Sequence, residues 1–517
     1  MTAAHRAPPP PPISKRMQRD IDDPIPLKKG VLRFLEDPYH KTKNPNGIVN
    51  LGVAENTLMA DELLDKLPKS LHMEYEDLGY GRPNGSVRLR TALANFINAH
   101  FNPATPIKAD HIVATNGACA AINTFSYTLC NPGDAMLITA PYYGAFDPDV
   151  SHKSGARAIT VNLNGRSPFE VDHIEALEQC MSKCQAEGII VKGMILSNPH
   201  NPLARCYSRE VLEALLKFAS KHNIHVVSDE IYALSLFDHH LNDADAEEPQ
   251  FTFDADNVDP SSLHSSSFIS MLALPNLVEL INPELVHIVY GMSKDFCING
   301  LRVGFAISPF NSAVLEGIGG NAEFSWVSSI TDSLCSTILE DTKWTNWFLL
   351  RNQKKLAASY LRTCKVLDHL NISYLPAQAG HFMWIDLKPY CDKIKDLLME
   401  RSGEAPKIPS QTLFNALIEH KVYIAFGEAF HTEEIGRFRL SYSMNKDAQE
   451  LGLMRMEQVL KCITSGDIEL SISPDEEDIY KLSKTLDDVC LVEATVGEMI
   501  PQNERPEKKK GPQCIVS

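Results

Sequence analysis

Six short apolar runs recur along the chain, each ending in a polar or Gly/Pro turn: HIVATNG (111–117), AMLITAP (135–141), GMILSNP (193–199), IHVVSDE (224–230), LVHIVYG (285–291) and RVGFAIS (302–308). Near-continuous apolar runs bounded by turns predict strands buried on both faces, as in a mainly parallel sheet. Helical patterns separate them. In 208–221, Val211, Leu212, Leu215, Leu216 and Ala219 fall on one face of a helix. Strands alternating with helices predict an α/β fold with helices on both faces of the sheet. Polar residues collect at the C-terminal ends of the strands: Asn116, Asn198, Asp229 and Lys294. Open α/β sheets place their ligands there. A second α/β pattern, including the alternating run HFMWIDL (381–387), extends from about 330 to 463.

Composition sets the boundaries. The chain has 517 residues, about three packing units at roughly 150 residues each. Apolar residues make up 44% and charged residues 22%, the balance of a globular chain with a large core. Residues 1–25 read as a disordered Pro-rich tail, with Pro8 to Pro12 as an extended polyproline stub. We divide the remainder into an N-terminal segment of a small domain (26–75), a large domain (76–325), the rest of the small domain (326–463) and an acidic-then-basic tail (464–517). The stretch 241–265 reads as an acidic surface loop. The net charge of −17 argues against nucleic-acid binding. No apolar run reaches the length of a membrane span, and the N-terminus lacks the apolar core of a secretory signal. Twelve Cys without CxxC or Cys/His clustering predict reduced thiols in a cytoplasmic protein, with no disulfide framework and no metal site.

Four segments carry the candidate chemistry: Asn198-Pro199-His200-Asn201-Pro202, Asp229-Glu230-Ile231-Tyr232, Ser293-Lys294 with Gly300-Leu301-Arg302-Val303-Gly304, and Gly436-Arg437-Phe438-Arg439. Each alone is an ordinary turn or surface pattern. In this order and at these separations, the chain resembles the class I aminotransferase superfamily of pyridoxal 5'-phosphate (PLP) enzymes, fold type I. Within it the chain is most similar to 1-aminocyclopropane-1-carboxylate (ACC) synthases and their non-plant relatives. That closer likeness rests on Asp37-Pro38-Tyr39, Leu51-Gly52-Val53-Ala54-Glu55-Asn56 and Pro141-Tyr142-Tyr143-Gly144-Ala145-Phe146. It covers residues 30–463 and neither tail.

The resemblance implies a role for each matching residue. Lys294 would carry the cofactor, and after displacement by substrate its amine would move the Cα proton. Asp229 would keep the pyridine nitrogen protonated. Tyr232 and Asn201 would hydrogen-bond the phenolic oxygen, and Tyr143 would stack on the ring. Ala118, Cys119, Ser293 and Arg302 would hold the phosphate, the first two at a helix N-terminus. Tyr80 would reach the neighbouring subunit's phosphate, which implies a homodimer with shared active sites. Arg439 would grip the substrate carboxylate with its planar fork, and Glu55 would face the amino acid. In isolation the bland readings are a solvated Lys294, a helix-capping Asp229, a core Tyr143 and a surface Glu55.

Three departures bear on the activity. Gly291 stands where the family commonly has a phosphate-touching Ser, Cys119 where it has Ser or Thr, and Ala204 where it has Gly. They weaken ACC synthesis more than PLP chemistry. We therefore expect an aminotransferase of the ACC synthase-like subgroup acting on an α-amino acid. The alternatives are ACC synthase acting on S-adenosylmethionine, a carbon–sulfur lyase, and a non-catalytic binding module of the same fold. The terminal Cys514-Ile515-Val516-Ser517 fits a farnesylation signal, with Lys508 to Lys510 just upstream. An anchored form at the membrane surface is the alternative to a free cytoplasmic enzyme.

Overall fold

All six apolar runs form strands in the computed structural model, which describes residues 12–14, 17, 18, 21, 25–242 and 258–470. The Pro-rich run up to Pro11, most of the acidic loop and the tail beyond residue 470, with Cys514, lie outside the described residues. A two-residue strand β1 (Val49–Asn50) comes first. The main sheet then comprises β2 (Ile112–Thr115), β3 (Ala135–Thr139), β4 (Arg157–Val161), β5 (Val191–Ser197), β6 (His225–Asp229), β7 (Val286–Gly291) and β8 (Gly304–Ile307). Their order is β2-β8-β7-β6-β5-β3-β4. Only β8 runs against its neighbours. The central strands are buried along nearly their whole length, which is why they read as unbroken apolar runs. β4 is the strand that patterning overlooks: it sits at the sheet edge, half-buried, and begins on the exposed Arg157.

Helices cover both faces. Five are used below: α1 (Pro26–Glu36), α2 (Ala118–Leu129), α3 (Phe146–Ser151), α4 (Arg209–His222) and α5 (Thr342–His369). α4 shows why the pattern read as a helix. The Ser208 side chain accepts from the Val211 N–H at its start, Asn223 ends it in the left-handed region at φ 49°, and the apolar face at Val211, Leu212, Leu215 and Leu216 is buried. Burying each such side chain contributes about 1.5–3 kcal/mol.

A second sheet, β12-β13-β10-β9, is antiparallel and consists of β9 (Tyr374–Leu375), β10 (Phe382–Asp386), β12 (Ala425–Phe426) and β13 (Arg437–Ser441). β1 pairs in parallel with β11 (Val422–Tyr423), so the N-terminal segment joins the C-terminal one. The 28-residue α5 spans both cores. Its Trp344 and Phe348 pack with the main sheet, while Leu356 and Tyr360 pack with the second sheet. The ends of β6 and β7 thereby face the second sheet across a cleft that α1 borders.

Candidate active site

A cavity of about 210 Å³ opens at the C-terminal ends of the strands, between the two sheets. The structure brings Lys294, Asp229, Tyr232, Asn201, Tyr143 and Arg439 to its wall. Ala118, Cys119, Ser293 and Arg302 line the same space.

Lys294 lies in the short helical turn Met292–Asp295 that follows β7. Its Nζ donates to the Ala54 carbonyl at 2.6 Å and lies 5.9 Å from the centre of the Tyr232 ring. Burial, reinforced by the nearby Arg439, pulls the amine down to about 8. The turn is held from behind by Asp295, which accepts from the Ser235 hydroxyl at 2.7 Å, the Leu234 N–H at 3.1 Å and the Tyr290 hydroxyl at 3.1 Å. These bonds fix the backbone of the turn from which Lys294 projects.

Asp229 ends β6. Burial raises its carboxyl to about 7, against the Ile231 N–H, which reaches it at 3.3 Å, and the charge of Lys294. Such a carboxylate gains from a cationic partner placed in the cavity.

At one end of the cavity, Gly117 (φ 115°) precedes the N-terminus of α2. A Cβ on Gly117 would lie 2.2 Å from Arg302 Nη2, and one on Gly304 would lie 2.4 Å from the Ala118 N. The glycines thus let the Arg302 guanidinium close over the first turn of α2. Arg302 itself holds φ 53° and donates to the Asn299 carbonyl at 2.8 Å. Helix N–H groups with a guanidinium beside them suit an anion. Cys119 lines the cavity here, and burial, reinforced by the neighbouring Asp149, pushes its thiol up to about 12.

Toward the second sheet, Arg439 is 3% exposed. Its Nη1 donates to Asn201 Oδ1 at 2.9 Å and its Nη2 to the Gly52 carbonyl at 2.7 Å. The guanidinium lies 4.7 Å from the ring centres of both Phe382 and Phe430. No carboxylate among the described residues pairs with it. A buried cation with only neutral acceptors is costly unless an anion joins it.

Two sequence-predicted residues lie elsewhere. Glu55 is exposed and lines an adjoining cavity of about 400 Å³ with Cys297 to Leu301, although its charge still raises the Lys294 amine. Tyr80 is 98% exposed, on the surface beside Trp326. Conversely, Asp149, Leu27, Val31 and Tyr423 line the main cavity without a sequence signal strong enough to single them out. Asp149 could have been found as the second Asp of the FDPD stretch that follows Tyr143. Burial raises its carboxyl to about 7, and its Oδ2 has no hydrogen-bond partner among the described residues. Leu27 and Val31 come from α1, whose contact with the cavity is purely tertiary.

Residues 46–453 match the family model for class I and II aminotransferases. The chain belongs to that family. It is 32% identical to the ACC synthase-like protein 1 of Bos taurus, over 84% of this chain and 80% of that one. It is 30% identical to the ACC synthase CMW33 of Cucurbita maxima, over 85% and 83%. It is also 32% identical to a protein of Leptosphaeria maculans named probable aminotransferase sirI, over 87% and 98%. Among solved structures, Thermus thermophilus aspartate aminotransferase with maleate superposes at TM-score 0.64, with 19% identity over 87% of this chain and 100% of that one. Bna3p of Saccharomyces cerevisiae superposes at 0.67, with 17% identity over 87% and 100%. These likenesses show fold type I. The cavity residues fit the PLP cofactor on which the family depends: a buried amine, a buried carboxylate, and an anion cradle that a single Cβ would fill.

Among the described residues no three His, Cys, Asp or Glu side chains cluster as a metal site, and no helix is long and apolar enough to cross a membrane. Every described cysteine is a free thiol.

Proposed function

We propose that this chain is a PLP-dependent enzyme that removes the Cα proton of an α-amino acid, and that its reaction is transamination. The observation that carries the reading is Arg439, a buried guanidinium with no carboxylate partner among the described residues, on the wall that also holds Lys294. A substrate carboxylate there would accept its remaining donors, and the substrate amine would then face Lys294. When bound, PLP supplies an electron sink for the charge left on Cα. Asp229 would hold a proton at the pyridine end, and Arg302 with the α2 N-terminus would hold the phosphate. Lys294 would move the Cα proton. An amine at about 8 is roughly 10% neutral at pH 7, against well under 0.1% for an ordinary lysine.

Two relatives support the subgroup: one is named a probable aminotransferase, the other an ACC synthase. The second name favours ACC synthesis from S-adenosylmethionine as the runner-up. One experiment separates the readings. The purified chain with PLP is incubated with an amino acid panel plus a keto acid, and separately with S-adenosylmethionine; Lys294→Ala is the control, and mass spectrometry reads the products. Paired new keto and amino acids, absent from the control, are the expected result. ACC with methylthioadenosine would replace transamination by ACC synthesis. A sulfur-containing fragment with ammonia would indicate a carbon–sulfur lyase. A cofactor that binds without any turnover would indicate a binding module.

We also propose a homodimer. Tyr75, Leu78, Tyr80 and Phe324 are 85%, 72%, 98% and 75% exposed. That much aromatic and aliphatic surface on one chain suits a partner. The proposed location is the cytoplasm, with farnesylation at Cys514 as a membrane anchor. Uptake of a farnesyl analogue, lost in Cys514→Ser, tests the anchor.

A further inference from the structure

We propose that His431 is a positioning residue that locks the two sheets' domains together, so that the Arg439 grip and the Tyr143 ring face one another at a fixed distance. The role of those two residues rests on the function proposed above; the lock itself does not.

The lock is built from both sides of the cleft. On the main-sheet side, the Tyr142 hydroxyl donates to Asp147 Oδ1 at 2.6 Å and lies 3.0 Å from Thr160 Oγ1 on β4. Asp147 sits in the first turn of α3. From the other side, His431 Nε2 meets Asp147 Oδ2 at 2.7 Å. A carboxylate only accepts, so Nε2 carries the hydrogen. The imidazole also stacks on the Tyr142 ring, with centres 4.4 Å apart and planes 17° from parallel. Asp147 therefore receives one donor from each domain, and Tyr142 touches His431 both through the carboxylate and face to face.

The backbone closes the same seam. The Tyr142 N–H donates to the Phe430 carbonyl at 2.9 Å. Gly144 passes so near Ala429 that a Cβ there would lie 2.2 Å from its carbonyl oxygen. His431 holds φ 59°, a conformation an L residue adopts only where its surroundings fix it.

What the lock aligns follows from its chain neighbours. Tyr142 precedes Tyr143, which lines the cavity. His431 follows Phe430, whose ring packs 4.7 Å from the Arg439 guanidinium. Two single peptide steps thus connect the lock to the ring-stacking residue and to the carboxylate grip. His431 does not line the cavity, so it acts through these neighbours and not on substrate.

The test uses full-length protein with PLP. His431→Leu removes the donor and keeps bulk; His431→Gln keeps a donor for Asp147; Gly144→Ala wedges the seam from the other side. Hydrogen–deuterium exchange is followed in peptides covering 142–146 and 427–432, and kcat and KM are measured separately. In His431→Leu and Gly144→Ala we expect exchange to accelerate at least about tenfold in both peptides. It should stay unchanged in peptides from β6 and β7. KM for the amino acid should rise roughly tenfold or more, with the cofactor absorbance retained. His431→Gln should stay within about threefold of wild type in both readouts. The proposal is overturned if His431→Leu leaves both peptides protected, if exchange rises evenly along the chain, or if Gln behaves as Leu does. If the wild type turns over no amino acid, the function proposed above fails, and the exchange data still decide the lock.

Discussion

Replacing Arg439 by Gln removes a buried charge that pairs with no carboxylate among the described residues. The guanidinium is held by Asn201 Oδ1 and the Gly52 carbonyl, and lies 4.7 Å from the centres of the Phe382 and Phe430 rings. A flexible ammonium would reproduce neither constraint. A carboxylate received by such a fork makes two charge-assisted hydrogen bonds, each about 1.5–3 kcal/mol. Their combined loss, about 3–6 kcal/mol, corresponds to roughly two to four decades in kcat/KM at about 1.36 kcal/mol per decade. The assay compares each α-amino acid with the amine that lacks its carboxylate. Arg439→Gln should lose those decades on the amino acid and change less than about threefold on the amine, while cofactor absorbance stays as in wild type. An equal loss on both substrates would refute the assignment, because the Arg would then be shaping the cavity and not binding the carboxylate.

Three other outcomes follow from the cavity and from the exposed Tyr80. Burial holds the Lys294 amine near 8 instead of its ordinary 10.5, so without cofactor the folded state binds fewer protons than the unfolded one between those values, and stability rises with pH across that window. The charged amine costs the cofactor-free protein about 3 kcal/mol below pH 8; Lys294→Met, after about 1–2 kcal/mol for the abandoned Ala54 carbonyl, should be about 1–2 kcal/mol more stable at pH 7 and lose that advantage by pH 10.5, as read by urea unfolding. Gly117→Ala forces a Cβ to within 2.2 Å of Arg302 Nη2 at φ 115°; PLP titrated by absorbance should bind at least about a hundredfold more weakly, with the circular dichroism spectrum unchanged. Tyr80→Ala should fold normally, since the residue is 98% exposed, and mixing inactive Tyr80→Ala with inactive Lys294→Ala should regenerate activity; no recovery despite subunit exchange would exclude a shared site.

The chain discloses its main sheet because physics leaves little choice there. Strands covered on both faces must be apolar throughout, and five-residue runs such as those ending at Thr139 and Asp229 cannot be placed on a surface. β4 escapes the same reasoning because an edge strand needs only one apolar side, and its first residue is an exposed Arg. The β1–β11 pairing rests on two residues per strand, separated by more than 370 positions, and no local pattern encodes it. The cavity divides along the same line. Lys294, Asp229 and Arg439 follow or belong to strands, so the sheet that the sequence predicts already carries them to one edge.

The residues that escape sequence reading are those whose placement depends on how the two domains meet. Leu27 and Val31 belong to a helix that could have packed anywhere apolar. Asp147 and His431 look like a surface acid and a turn histidine until the seam closes and sets them 2.7 Å apart. Cys119 shows a mixed case: the helix N-terminus predicted for it is present and it lines the cavity, but the buried acid Asp149 beside its thiol has no strong local sequence signal. Strand ends thus announce the groups that do chemistry, while the groups that set the distance between them are written in no single stretch of chain. A lock across the cleft is the kind of element such a division hides, because each half is an ordinary residue in its own domain. Its effect exists only in the assembled pair, where one carboxylate takes a hydrogen from each side.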